Sequence, residues 1–136
     1  MFEVGEGGNG ASVIVEENTS LQPGRQGFGT VHHTAFRVED RAVLNEWIER
    51  MESFGFGTSG HVDRFFFESL YARVAPGILF EWATDGPGFM GDEPYETVGE
   101  KLSLPPFLEA KRDYIESIVR PIDTVRSSKT FEKEYE

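Results

Sequence analysis

Cysteine is absent from this chain of 136 residues. Its absence excludes disulfides, thiolate metal sites and a cysteine nucleophile, so a metal ion could be bound only through histidine and carboxylate side chains. The sequence also lacks an apolar run long enough to span a bilayer, and its N-terminus lacks the basic and then apolar pattern of a signal peptide. We therefore expect a cytoplasmic protein with no membrane partner.

Positive charge is scarce as well. The chain has 24 acidic residues against 13 basic ones, which gives a formal net charge of -11, and only four of the basic residues are lysine. An acidic surface repels nucleic acid, so we expect no nucleic-acid partner. An acidic, lysine-poor surface would suit a halophilic cytoplasm, where salt screens the repulsion between like charges. Apolar residues make up 38% of the chain and include 12 phenylalanines, which predicts a folded protein with one core.

The spacing of the apolar residues predicts an α+β fold. Strand side chains alternate between two faces, whereas a helix repeats every 3.6 residues. The sequence carries these patterns in the order strand, helix, then two or three antiparallel strands, which is a βαβββ unit. The predicted elements are a strand over residues 30–40, a helix over 40–54, and strands over 64–73 and 78–83.

Two further segments flank this unit. Residues 1–4 and 11–17 predict an N-terminal hairpin, and residues 106–119 predict a C-terminal helix that begins after paired prolines. An isolated hairpin is marginally stable in water, so we expect this one to join the main sheet or to pair with another chain. We divide the chain into residues 1–29, the hairpin and linker; 30–90, the βαβββ module; and 91–136, an acidic loop, the C-terminal helix and the tail.

Two adjacent histidines, His32 and His33, lie within the first predicted strand of the module. Phe36 and Val38 should pack on the helix that follows, and alternation then places His33 on the opposite, open face of the sheet. A neutral imidazole in that position can bind a metal. The alternative is an ordinary strand histidine that hydrogen-bonds a neighbour.

A carboxylate in the last predicted strand should lie on the same face of the sheet as this histidine. Phe80 and Trp82 belong against the helix, so Glu81 should share the open face with His33. A buried carboxylate without a cation would be costly. The cation could be a metal, or Arg37 or Arg64 could form a simple salt bridge with Glu81.

Several stretches of the chain resemble a known superfamily. Residues 29–38, 63–71 and 76–89 are similar to the vicinal oxygen chelate superfamily, which includes glyoxalase and bleomycin resistance proteins. Within it, they most resemble the ring-cleaving extradiol dioxygenases that act on hydroquinones and catechols. Residues 99–109 also resemble the C-terminal part of that group. The likeness covers nearly the whole chain.

The resemblance implies a metal ion held by residues on the first and last strands of a βαβββ module. His33 matches the first-strand ligand and Glu81 matches the last-strand ligand, with His32 as the fallback ligand if the strand parity is shifted by one residue. Tyr71 matches a catalytic tyrosine that hydrogen-bonds the substrate hydroxyl or the oxygen intermediate. Fe(II) is the implied metal, and Mn(II) or Zn(II) are alternatives.

An aromatic diol and O₂ are the implied substrates. Arg64, Phe67 and Arg37 are the candidate substrate-binding residues, since the arginines could orient an anionic product and Phe67 could help to wall an aromatic pocket. For the run of phenylalanines at residues 65–67, we favour ordinary core packing for at least one face.

The resemblance also implies that the site is incomplete. Members of this type have four modules, and this chain is similar only to the last module, preceded by the final hairpin of the third. Its three histidines, His32, His33 and His61, leave no obvious second imidazole ligand. We expect a fragment of a longer protein, or a homodimer that completes the sheet and covers its edge.

Three functions remain open at this point. The first is an Fe(II)-dependent dioxygenase domain that acts on a catechol or hydroquinone. The second is a metal-dependent lyase or isomerase of the glyoxalase type, which would not consume O₂. The third is a catalytically silent binding or dimerisation module.

Overall fold

The computed structural model describes residues 1–9, 11–22, 24–75, 77–126 and 128–129. Within these residues the chain has mixed α and β content, which confirms the α+β class. The strands are β1 (Phe2–Glu3), β2 (Ser12–Val13), β3 (Thr34–Arg37), β4 (Val62–Asp63), β5 (Glu68–Ala75) and β6 (Ile78–Ala83). The helices are α1 (Arg41–Ser53) and α2 (Arg112–Ile118), and a 3-10 helix over Pro106–Lys111 leads into α2. Among the described helices, none is both long and apolar enough to cross a bilayer.

Four of the strands form one sheet in the order β3-β6-β5-β4. β3 runs parallel to its neighbour β6, whereas β6 with β5 and β5 with β4 are antiparallel. The parallel pair is possible because α1 carries the chain back across one face of the sheet after β3. The two central strands, β6 and β5, are therefore hydrogen-bonded on both sides.

Helix α1 forms where the sequence predicts it. Asp40 caps its N-terminus, since the carboxylate accepts a hydrogen bond of 3.0 Å from the backbone N–H of Val43. The helix ends at Ser53, and Gly55 then takes a left-handed conformation with φ 81° that a residue with a side chain would adopt only at a cost. Leu44 and Met51 are the buried residues of this helix.

The core lies between α1 and one face of the sheet. Its buried members are Val38, Leu44, Met51, Leu70, Ala72 and Trp82. Trp47 of the helix stacks on Trp82 of β6, with 5.3 Å between ring centroids. Phe36 also packs against this core, so Phe36 and Val38 face the helix as predicted. The residues that alternate with them lie on the other face of the sheet.

The predicted strand over residues 64–73 is wrong at its start, because β5 begins at Glu68. Residues 64–67 form a tight turn instead. The Asp63 carboxylate accepts a 2.7 Å hydrogen bond from the N–H of Phe65, and the N–H of Arg64 donates to the carbonyl of Phe67 at 2.9 Å. Phe65 has φ 70°, a left-handed conformation that is unusual for a bulky side chain. The first predicted strand is also shorter, since pairing with β6 begins at Thr34.

The two flanking segments differ from their predictions in detail. β1 and β2 form a separate antiparallel hairpin that does not hydrogen-bond to the four-stranded sheet. Instead, the hairpin and the α1 side of the sheet together line an apolar cavity of about 690 Å³. In the C-terminal segment the predicted helix over 106–119 is only half α-helical, because Pro106–Lys111 is a 3-10 helix. The end of this segment beyond Lys129 lies outside the described residues.

Candidate active site

Glu81 is the centre of a hydrogen-bonded cluster on the open face of the sheet. It lies in β6, opposite Tyr71 of β5 and Ala35 of β3, and only 3% of its surface is exposed. Its Oε1 atom accepts hydrogen bonds from the hydroxyls of Ser69, at 2.5 Å, and Tyr71, at 2.6 Å. Its Oε2 atom lies 2.8 Å from Nε2 of His33. The buried carboxylate therefore has a partner on each oxygen, as burial requires.

His33 lies just before β3, and 35% of its side chain is exposed. Its Nδ1 atom lies 2.9 Å from Nδ1 of His32, so one of these nitrogens donates and the other accepts. The tautomer that satisfies both contacts has Nε2–H of His33 donating to Glu81 and Nδ1 accepting from His32. The structure thus brings together the two predicted ligands, while the fallback ligand His32 contacts His33 rather than Glu81.

Neither candidate arginine forms the alternative salt bridge with Glu81. The Arg37 guanidinium pairs with Asp85 at 2.6 Å on the surface. The Arg64 guanidinium lies over the ring of Tyr71, 5.9 Å from its centroid. Across the described residues, the basic side chain within 4.0 Å of the Glu81 carboxylate is His33 alone.

Tyr71 is half-buried and keeps its hydroxyl proton. Burial raises the pKa of its phenol, and the hydrogen bond that it donates to Glu81 raises this pKa further, because both favour the neutral form. A protonated phenol beside the imidazole and the carboxylate can donate a hydrogen bond to an oxygen atom bound there. The ring also contacts His33 edge to face, with 6.1 Å between centroids.

Two of the three predicted substrate-binding residues line the same small cavity. This cavity of about 300 Å³ is lined by Asp63, Arg64, Phe65, Phe66, Phe67 and Pro105. Phe89, from the loop after β6, packs on Phe67 with 5.9 Å between centroids and extends this aromatic wall. Arg37 lies outside the cavity lining and is engaged by Asp85. The core packing expected for one face of the phenylalanine run is wrong, since none of Phe65–Phe67 belongs to the core cluster.

With the His33 proton on Nδ1 instead of Nε2, the donor pair would fit two adjacent positions of a metal ion. Ligands that lie about 2.1 Å from an ion at right angles to one another are separated by about 3 Å, close to the 2.8 Å between His33 Nε2 and Glu81 Oε2. The donor types, imidazole and carboxylate, suit Fe(II), Mn(II) or Zn(II). Among the described residues, however, no group of three histidine or acidic side chains is placed to hold an ion. His61 contacts Glu68 at 3.5 Å instead and does not join His33 and Glu81.

Ser69 is the member of the cluster that sequence reasoning missed. It precedes Tyr71 by two residues, so strand alternation places both side chains on the face that carries Glu81. A small polar residue two positions before Tyr71 was the available signal. Its meaning depends on the antiparallel register of β5 and β6, which pairs Tyr71 with Glu81.

Comparison with known proteins places the chain among relatives of dioxygenases. No family model matches it. It is nevertheless homologous to proteins that are named as ring-cleaving dioxygenases.

Two relatives illustrate this homology. MhqA of Bacillus subtilis, which carries a provisional name as a ring-cleaving dioxygenase, is 46% identical over 122 residues, which are 90% of this chain and 39% of MhqA. The chlorohydroquinone/hydroquinone 1,2-dioxygenase of Sphingobium indicum is 35% identical over 117 residues, 82% of this chain and 36% of the relative. The chain therefore spans less than two fifths of the length of either protein.

A solved structure also relates the chain to dioxygenases. A crystal structure from Bacillus subtilis, provisionally described as a dioxygenase, matches with a TM-score of 0.69 and 43% identity, covering 75% of this chain and 34% of that one. At this level of identity the likeness is one of sequence as well as of fold.

Proposed function

We propose that this chain supplies part of the active site of a ring-cleaving dioxygenase that acts on a hydroquinone or a catechol. The observation that carries the proposal is the meeting of His33, Glu81 and Tyr71 on the open face of the sheet, in a chain homologous to proteins named as ring-cleaving dioxygenases. The assignment to the vicinal oxygen chelate superfamily is part of this proposal.

His33 and Glu81 would hold the metal, with Fe(II) preferred and Mn(II) or Zn(II) as alternatives. When bound, Fe(II) supplies open positions for the diol and for O₂ and lowers the pKa of the diol. The third protein ligand would come from a further module of a longer protein or from a second copy of this chain. Two copies would be related by a two-fold axis, so that each supplies the same donors to the other.

Tyr71, Arg64 and Phe67 would act on the substrate directly. The Tyr71 hydroxyl, kept protonated by its surroundings, would donate a hydrogen bond to a diol oxygen and hold it beside the ligand pair. The aromatic cavity next to Arg64 would accept the ring of the diol. Oxidative opening of the ring creates a carboxylate, and the Arg64 guanidinium would bind this group. Arg37 could contribute in the same way only if it were released from Asp85.

Metal content and O₂ uptake together test the proposal. The chain is loaded with Fe(II) under anaerobic conditions, and we compare the wild type with His33→Ala, Glu81→Gln and the exposed control Glu49→Gln. We expect the first two variants to lose metal and the control to keep it. When a further module or a second copy of the chain supplies the third ligand, hydroquinone-dependent O₂ uptake should rise and fall with the metal content. Equal metal content in all four proteins would overturn the proposal.

A lyase or isomerase of the glyoxalase type would use the same donor pair without O₂. Metal binding that depends on Glu81, combined with turnover that proceeds without O₂, would favour that alternative. If the chain binds no metal at all, the third function, a catalytically silent binding or dimerisation module, would be favoured.

A further inference from the structure

Ser69 is a fully buried serine whose hydroxyl donates to the candidate metal ligand, Glu81, and also lies within hydrogen-bond reach of the Tyr71 hydroxyl. Its exposed fraction is 0%, and its Oγ lies 2.5 Å from Oε1 of Glu81. This distance lies within the range of a hydrogen bond from a hydroxyl to a carboxyl oxygen. A serine in a buried strand position otherwise has no advantage over alanine, which buries no polar group.

The hydrogen bonds to Glu81 are divided unevenly between its two oxygens. Oε1 accepts from both Ser69 and Tyr71, and Oε2 faces His33. A carboxylate oxygen has two lone pairs in its plane, so two hydroxyl donors occupy the acceptor capacity of Oε1. Rotation of the carboxylate group would break both hydrogen bonds and bury two hydroxyls without partners. The orientation of Glu81 is therefore determined from the β5 side.

We propose that Ser69 is a positioning residue for Glu81: its hydroxyl holds Oε1, so that Glu81 offers Oε2 alone and binds a metal through one oxygen. The part of this inference that concerns a metal rests on the proposed function, whereas the orientation of the metal-free carboxylate does not. Tyr71 donates to the same oxygen, but it is less buried and is also needed for the substrate. Ser69 has no such second role, since full burial keeps it from the substrate.

The test uses variants of Ser69 and a matched serine elsewhere. Ser69→Ala removes the hydroxyl, and Ser69→Thr retains it. The control, Ser53→Ala, removes a hydroxyl that donates to the carbonyl of Arg50 at the end of α1, far along the chain from the site. If the alanine variant does not fold, Ser69→Cys takes its place, because a thiol keeps nearly the same volume and is only a weak donor.

Two measurements are made on each protein, the first without metal. We expect a nuclear Overhauser effect between the His33 ring protons and the Glu81 side-chain methylene in the wild type, in Ser69→Thr and in the control, and its loss in Ser69→Ala. The second measurement is Co(II) affinity with the visible absorption spectrum. Removing a hydrogen bond that orients a ligand lowers metal affinity by about 10- to 100-fold, so Ser69→Ala should bind Co(II) that much more weakly, with an altered spectrum.

The outcomes separate this inference from the proposed function. Co(II) binding that is absent, or that is unchanged in Glu81→Gln, overturns the proposed function, while the metal-free Overhauser effect still decides the role of Ser69. The role of Ser69 is overturned if the Overhauser effect is absent from the wild type or is retained in Ser69→Ala. It is also overturned if Co(II) affinity depends on Glu81 but is the same in Ser69→Ala as in the wild type.

Discussion

Neighbouring residues of the two central strands are equally buried on opposite faces of the sheet, yet chemically opposite. Leu70 and Trp82, on the face toward α1, have exposed fractions of 0% and 5%, and their neighbours Ser69 and Glu81, on the open face, have 0% and 3%. The helix-facing residues are apolar and stabilise the fold by leaving water. The open-face residues are polar, and they fit together only because each finds a hydrogen-bond partner. Along the same two strands, alternate residues therefore stabilise the core on one face and form the candidate site on the other.

The largest effect on stability should come from the apolar face. Leu70→Ala would leave a cavity in the core and lower the free energy of unfolding by about 2–5 kcal/mol. Denaturant unfolding measures this loss. Leu21→Ala, at an exposed position, should change the free energy by less than about 0.5 kcal/mol. A small effect of Leu70→Ala would mean that the two faces do not differ as described.

On the open face, Glu81→Gln should change metal binding far more than stability. The amide oxygen can still accept from Ser69 and Tyr71, but the amide nitrogen cannot accept from His33, so this half-exposed donor loses its acceptor at a modest cost of about 1 kcal/mol. Metal content, measured by elemental analysis, should fall to the background level. A variant that keeps its metal would contradict the role of Glu81, and Glu49→Gln serves as the control for a lost carboxylate.

Tyr71→Phe should have a smaller effect than Glu81→Gln. The variant loses one of two donors to Oε1, which lowers the free energy of unfolding by about 0.5–1.5 kcal/mol. We expect metal to be retained and hydroquinone-dependent turnover in the complete site to fall. Tyr114→Phe, at an exposed tyrosine of α2, should change neither quantity. Loss of metal in Tyr71→Phe would indicate that the tyrosine, rather than Ser69, determines the orientation of Glu81.

The smallest predicted effect concerns the rim of the sheet, where Glu68 pairs with Arg41 of α1. The hydrogen bond from Arg41 lowers the pKa of Glu68 below its ordinary value of 4.5. A carboxyl group with a lowered pKa in the folded state stabilises the fold above its ordinary pKa, and this contribution is lost as the pH falls through the lowered value. Glu68→Gln should therefore lower stability slightly at pH 7 and leave it unchanged at a pH well below 4. An equal loss at both pH values would exclude the ion pair as the cause.

Strand alternation predicted that His33 and Glu81 share the open face of the sheet, since a period of two determines which side chains share a face. The same reasoning began the strand over residues 64–73 four residues too early, because the phenylalanines at residues 65–67 have high strand propensity. The side chain of Asp63 overrides that propensity by accepting the N–H of Phe65 and closing a turn. Ser69 was missed because its importance depends on the register between two strands, which a local pattern does not contain.

The C-terminal segment also shows that a local sequence pattern does not contain the contacts between elements. Its apolar residues are spaced as on an amphipathic helix, yet Phe107, Tyr114 and Ile118 are exposed. Periodicity predicts which face of a helix is apolar, but burial of that face depends on what packs against it.

Paramagnetic NMR with Co(II) tests the central claim most directly. On addition of substoichiometric Co(II), the His33 ring and the Glu81 side chain should show the first and largest shifts, and the neighbouring Tyr71 ring should follow. These shifts should disappear in Glu81→Gln and persist in Glu49→Gln. Shifts that begin at other residues, or that are the same in both variants, would contradict a metal site shared by His33 and Glu81.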